Sequence, residues 1–384
     1  MPILLIILTL FLSFKPNNSY SYQKYSEISK LNYLFLIDQD TQEILLSKNA
    51  DERIAPSSMT KLMTAYVVFK ELEKGNIKLD HKCLIGRDAW RKRGSTMFLN
   101  HRDIVTIEDL PKGLIIVSGN DSSIALAQSI SGSVKEFAQL MNKTAKEIGL
   151  KNSNFKNPHG LNQHGHYMSL RDLAIVATKI SEDFPQFMPY FSATNFTYGN
   201  ITQRNRNPLI KENYQGATGM KTGYTTDGGY GITASAKRSN KRLIAVVNNA
   251  LTPSQRQKAI IELMDYGFNN FEKITIFKKN EVIVKANVWL GKKPSLNLIS
   301  KKDISINVPN NQNKEDLIVE VKYQDPLFTP IKKDQQYATL IIKNSEKTIK
   351  ETPLYAKENI KKAGYLYRIW KIFNHKINNF NNNL

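Results

Sequence analysis

Cysteine is all but missing from this chain: Cys83 stands alone in 384 residues, which excludes an intrachain disulfide and any thiolate-held metal cluster. Long apolar runs are missing too, so nothing in the sequence reads as a bilayer-spanning helix. Acidic residues are scarce, with 34 Asp and Glu against 54 Lys and Arg, for a formal charge of +20. Such a chain needs an anionic neighbourhood, whether nucleic acid, an acidic bilayer or a polyanionic wall. Charge alone does not choose, and the abundance of Lys, Asn and Ile offers a purely compositional source for part of it. No run of Lys and Arg interleaved with aromatics marks a nucleic-acid groove, so no nucleic-acid partner is expected. No internal repeat register is evident.

What is present begins with an apolar stretch at residues 3–14. At about a dozen residues it is too short to cross a bilayer and reads as the apolar region of an export signal covering residues 1–22. No Lys or Arg precedes it and no small-x-small cleavage site follows; cleavage is expected between Asn18 and Gln23. An uncleaved anchor and a buried core helix are the alternatives, and the polar stretch at 15–24 counts against the second.

The length suits a main domain of about 250 residues plus a smaller module. Residues 33–38 and 43–47 predict an opening hairpin across the polar Gln39-Asp40-Thr41-Gln42. Met59, Leu62, Met63, Tyr66 and Phe69 recur at helical spacing and predict a core helix over 58–72. Further helices are expected at 107–117, 122–131 and 134–148, then strands at 230–236 and 242–249. Strands at both ends with helices between them predict an α/β (α+β) layer in which first and last strands meet in one antiparallel sheet. This domain is assigned to 24–273. Beyond it, short β-type runs at 282–289, 304–308, 317–323 and 337–343 predict a small all-β sandwich over 276–356. The C-terminus is the most periodic segment: Leu366, Ile369, Trp370, Phe373, Ile377 and Phe380 fall within an arc of about 100°. Arg368, Lys371 and His375 project oppositely, so 360–380 reads as a basic amphipathic helix for an anionic membrane surface. A helix packed on its own domain is the alternative.

Three short elements carry the chemistry: Ser58-Met59-Thr60-Lys61, Ser118-Gly119-Asn120 and Lys221-Thr222-Gly223. Singly each is weak, since Ser-x-x-Lys also occurs at Ser21 and Ser153, and Ser-x-Asn at Ser47 and Ser305. Their order and contexts matter more. Ser58 opens a predicted helix just after Pro56, which puts Lys61 one turn on and on the same face, within reach of the hydroxyl. A neutral lysine there takes the serine proton, and the helix N-terminus favours developing negative charge. Lys221-Thr222-Gly223 follows Gly216-Ala217-Thr218-Gly219-Met220, a small-residue context for a strand whose edge pairs with a peptide backbone. Lys221 and Thr222 then meet a terminal carboxylate, and Gly223 leaves room for it.

The triplet resembles that of the serine penicillin-binding proteins and β-lactamases. With Gly119 in place of the usual Asp, within Val117-Ser118-Gly119-Asn120-Asp121-Ser122, it looks like the low-molecular-mass D-alanyl-D-alanine carboxypeptidases of the peptidase S11 type. Ala55-Pro56-Ser57-Ser58, Ala89-Trp90, Gly94-Ser95-Thr96-Met97-Phe98-Leu99 and Asn205-Arg206-Asn207 extend the likeness over nearly the whole chain after the export segment. The resemblance implies a β-lactamase-like catalytic domain, no cofactor, and an acyl-enzyme cycle on peptidoglycan stem peptides, with covalent capture of β-lactam antibiotics. It further implies Ser58 as nucleophile, Lys61 as general base, Ser118 as proton relay and Asn120 as anchor for peptide and lysine. The backbone N–H groups of Ser58 and Tyr224 would form an oxyanion hole, and Arg206 and Arg256 either assist carboxylate or strand recognition or are structural. Tyr224 stands where such enzymes commonly carry His. His159, His164 and His166 invite a metal reading, but no paired carboxylate or helical spacing accompanies them; a loop packed against the site is the expected use. The expected location is the periplasmic face of the cytoplasmic membrane. An endopeptidase, a β-lactamase and a non-catalytic wall-binding protein are the rival readings.

Overall fold

The computed structural model describes residues 3–9, 25–310, 317–344 and 347–381. They form two compact units, one within Tyr20–Asn270 and one within Phe271–Leu384 that the strand Ile3–Thr9 joins.

The first unit is built on an antiparallel sheet in the order Ile44–Lys48, Tyr33–Asp38, Lys241–Ala250, Gly229–Arg238, Ala217–Thr225. First and last strands of the unit do meet: Leu34 to Asp38 pair with Val247 to Leu243. Side chains alternate across this sheet, and both faces are covered. Leu34, Leu36, Leu243, Ala245 and Val247 lie in a core with Ile260, Leu263 and Met264 of the helix Pro253–Asn270. Phe35, Ile244 and Val246 face a larger core containing Met59, Leu62, Met63, Tyr66 and Phe69.

That second layer holds the predicted helices, found at Asp109–Ile116, Asn120–Ser131 and Val134–Glu147. The helix expected over 58–72 differs at its start. Ser57–Thr60 is a 3-10 turn and the α-helix runs Lys61–Glu73. Ser57, at φ 52°, lies outside the α-helical region, and the strand that carries Gly223 closes on this turn, so the regular helix starts beyond it. The helices Leu170–Asp183 and Pro253–Asn270 and the hairpin Asn195–Tyr198 with Ile201–Arg204 were not expected from sequence.

In the second unit the four expected strands are found at Val282–Trp289, Ile304–Pro309, Leu317–Gln324 and Gln336–Asn344. Phe271–Phe277, Ser295–Ile299, Leu327–Phe328 and Lys347–Ala356 are additional. Alternating residues such as Leu298, Ile306, Val319, Leu340, Ile342 and Leu354 make the core. Ile3–Thr9, seven residues of the apolar stretch at 3–14, lies antiparallel on the edge of this sheet against Leu317–Gln324. Residues 10–24, with the expected cleavage zone, lie outside the described residues. The terminal helix runs Tyr365–Asn381, and Leu366, Trp370 and Phe373 are 81%, 60% and 62% exposed. Among the described residues no helix is long and apolar enough to cross a membrane.

Candidate active site

Ser58 sits in the 3-10 turn with its side chain half-buried, and Lys61, one turn on, is only 1% exposed. Lys61 Nζ donates to Ser58 Oγ at 2.9 Å, to Asn120 Oδ1 at 2.8 Å and to the His159 carbonyl at 2.7 Å. Three acceptors, none of them charged, satisfy the ammonium without an ion pair. Burial is the main cause that lowers its pKa to about 7, helped by the positive charges of Arg206 and Lys92 and opposed by the carboxylate of Asp121. A lysine in that state is neutral for a large share of the time at neutral pH, which is what a proton acceptor for a hydroxyl requires.

The turn is held by its neighbours. Ser57 has φ 52°, a left-handed conformation unusual for a residue with a side chain, and its hydroxyl bonds Thr225 Oγ1 at 3.0 Å. Gly160 closes on it from the other side: a Cβ there would lie 1.8 Å from the Ser57 carbonyl oxygen. Asn157 accepts from Gly160 N at 2.7 Å, and Thr64 donates to the Pro158 carbonyl at 2.7 Å, so the segment 157–160 is fastened to the Lys61–Glu73 helix. The expected packing of the histidine loop against this region is seen here, but through the backbone of His159 and Gly160 and not through an imidazole.

Ser118 precedes the helix Asn120–Ser131, is 2% exposed and has φ 64°. Its neighbour Asn120 turns its carbonyl oxygen to Lys61 and donates from Nδ2 to the Arg93 carbonyl at 2.9 Å. The two motifs therefore share one lysine.

Lys221, Thr222, Gly223 and Tyr224 lie on Ala217–Thr225, the strand at one end of the sheet, in register with Thr233, Ile232, Gly231 and Tyr230. Lys221 is 2% exposed and donates to the Thr222 carbonyl at 3.1 Å. Burial holds its pKa well below the ordinary lysine range, and the charges of Lys61, Arg206 and Arg256 push the same way. Gly223 has a use the sequence did not suggest. A Cβ would sit 3.0 Å from the Pro56 carbonyl oxygen and 3.0 Å from Ser57 Cβ, so the glycine lets the strand close on the serine turn. Tyr224 is 52% exposed and stacks on Tyr230 with centroids 4.2 Å apart.

Arg206 is exposed and bonds Ser95 Oγ, while its flanking asparagines are structural: Asn205 donates to the Ala193 carbonyl and Asn207 caps the helix Pro208–Lys211. Arg256 is half-buried 5.9 Å from the Tyr230 ring centre, and its buried Nε has no partner among the described residues. Of the histidines, His166 accepts from Lys156 N at 3.1 Å and donates to Thr60 Oγ1 at 2.9 Å, His159 accepts from Leu161 N at 3.1 Å, and His164 is exposed. Burial keeps His166 at about 4 and His159 at about 2. Of the duplicate motifs, Ser153 bonds Asp172 and Ser305 bonds Thr275, while Ser21 lies outside the described residues.

A serine bonded to a buried, proton-poor lysine, beside a strand edge carrying a second buried lysine, has the arrangement that acyl transfer through a serine hydroxyl requires. Residues 22–252 match the D-alanyl-D-alanine carboxypeptidase family and residues 271–362 the C-terminal domain of penicillin-binding protein 5. The chain belongs to that carboxypeptidase family and is a serine hydrolase. It is 40% identical over 342 residues to D-alanyl-D-alanine carboxypeptidase DacF of Bacillus subtilis, covering 86% of each chain. It is 37% identical to D-alanyl-D-alanine carboxypeptidase DacC of Escherichia coli, over 87% of this chain and 85% of that one. Penicillin-binding protein 5 from Haemophilus influenzae superposes with a TM-score of 0.82 at 35% identity, over 86% of this chain and 98% of the other.

Proposed function

We propose that this protein removes the terminal D-alanine from peptidoglycan stem peptides through an acyl-enzyme on Ser58, and that β-lactams are captured on the same serine. The observation that carries the reading is the Lys61 Nζ to Ser58 Oγ bond at 2.9 Å, made by a lysine whose pKa is lowered to about 7. Neutral Lys61 takes the Ser58 proton as Oγ attacks the penultimate D-alanine carbonyl. The tetrahedral oxyanion is received by the N–H groups of Ser58 and Tyr224. Ser118 passes a proton to the departing amine as the C–N bond breaks, D-alanine leaves, and water then frees the acyl group. Asn120 anchors the peptide and Lys61. Thr222 with Lys221, Arg206 and Arg256 receives the terminal carboxylate, whose negative charge favours the protonated form of Lys221; no acidic side chain ion-pairs with any of the three among the described residues.

Two segments support a reading of the place of action. Residues 1–22 serve as the export signal, and the terminal helix holds the enzyme peripherally on the periplasmic face of the cytoplasmic membrane. The exposed Leu366, Ile369, Trp370 and Phe373 support this, because such an apolar face gains stability in a lipid surface.

The test is D-alanine release from diacetyl-lysyl-D-alanyl-D-alanine by the purified protein beside a Ser58→Ala control. Release that disappears in the control supports the reading. No release with intact penicillin labelling overturns it in favour of an endopeptidase, and neither activity on folded protein in favour of a non-catalytic wall-binding module.

A further inference from the structure

Asp121 directly follows Ser118-Gly119-Asn120, is 1% exposed, and has no part in the reaction as described so far. Met97 N donates to both of its carboxylate oxygens at 3.0 Å, Leu99 N at 3.2 Å and Ser122 N at 2.9 Å. Every one of these partners is a backbone N–H, and two of the three residues come from the loop 95–99. Burial raises the Asp121 pKa and those backbone bonds oppose the rise. At the first turn of Asn120–Ser131 a carboxylate is also favoured by the helix dipole.

The loop it grips is tied to the site at further points. Asn120 N donates to the Ser95 carbonyl at 2.7 Å, Gln203 donates to the Thr96 carbonyl at 3.0 Å, and Arg206 bonds Ser95 Oγ. Gly119 makes the arrangement possible: a Cβ at that position would lie 2.8 Å from Asp121 Oδ1 and 2.6 Å from Ser122 Oγ. A side chain at 119 and a carboxylate at 121 compete for one space.

We propose that Asp121 is a positioning residue of this site, whose carboxylate locks the loop 95–99 to the helix start and so sets Ser118, Asn120 and Arg206 relative to one another. The inference rests on the Ser58 acylation reading. Its second consequence is electrostatic. The groups whose charges bear on Lys61 are Arg206, Lys92 and Asp121, with Lys221 and His159 responding to Lys61 in turn; only Asp121 among them is negative. Its charge also reaches Tyr198.

Asp121→Asn keeps the shape, removes the charge, and points a donor at N–H groups that already donate. The experiment is the second-order rate of β-lactam acylation and of D-alanine release against pH for the wild type, Asp121→Asn and Asp121→Glu, with thermal unfolding alongside. For folded Asp121→Asn the plateau rate is expected to fall roughly 10- to 100-fold. The midpoint of the rising limb should move down, because the one negative neighbour of Lys61 is gone. Asp121→Glu restores the charge and is expected to return the midpoint to the wild-type value. A folded Asp121→Asn whose plateau rate and midpoint both match the wild type overturns the proposal. If Asp121→Asn does not fold, a wild-type midpoint in Asp121→Glu supports the proposal and a downward shift overturns it. A wild type that releases no D-alanine and takes no β-lactam would instead sink the acylation reading itself, a different outcome from any of these.

Discussion

Lys61 Nζ and Ser58 Oγ lie 2.9 Å apart, with the lysine too deeply buried to hold its proton as an ordinary lysine does. Acylation requires the neutral amine, so its rate is expected to rise with pH through a midpoint near 7 and then level off, since Lys61 titrates at about 7. Stopped-flow acylation by a β-lactam across that range checks it. A rate independent of pH would remove Lys61 from the role of base.

Gly160 offers a structural test away from the reacting groups. It has φ +81°, and an added Cβ would meet the Ser57 carbonyl oxygen at 1.8 Å. Gly160→Ala is expected to cost more than about 3 kcal/mol, through left-handed strain and a backbone collision together. Thermal unfolding reads the loss, and whatever folds should acylate slowly because the serine turn has shifted.

Tyr224 stacks on Tyr230 at 4.2 Å from the exposed end of the Lys-Thr-Gly strand. Tyr224→Ala is expected to lose about 0.5–1.5 kcal/mol of stability with the stack. Tyr224→His brings in a group that titrates near 6.5, and the pH profile of acylation should gain a second inflection there. A profile identical to the wild type would mean that position 224 acts through its backbone alone.

The terminal helix presents Leu366, Trp370 and Phe373 to solvent. A chain ending at Lys357 is expected to stay off phosphatidylglycerol-containing vesicles that retain the full chain, and to keep its activity in solution. Equal sedimentation of both with vesicles would discard the anchor.

The parts legible in the sequence are those whose signal is local. The serine motif was readable because a serine and lysine three residues apart must share a helical face, and the hairpin at 33–48 because two apolar-rich runs flank four polar residues. The 3-10 start at Ser57 was not readable, since it depends on how closely Gly223 lets a strand from far along the chain approach Pro56. The same holds for His159, which acts through its carbonyl and so leaves no mark in residue type, and for Asp121, whose partners are the backbones of Met97 and Leu99. The helix Pro253–Asn270 escaped because its apolar residues are few, with Ala259, Ile260, Leu263, Met264 and Gly267 alone buried over eighteen positions. Gly267 reads as a breaker until the sheet is in view: a Cβ there would lie 2.6 Å from Leu243.

The measurement that bears most directly on the account is mass spectrometry of the trapped acyl-enzyme. The protein is quenched in acid after a brief exposure to penicillin and digested, and the adduct is located by fragmentation. A single penicilloyl group on Ser58, absent from Lys61→Met under the same exposure, is expected; an adduct on another residue, or undiminished labelling of Lys61→Met, would show that acylation does not use this pair.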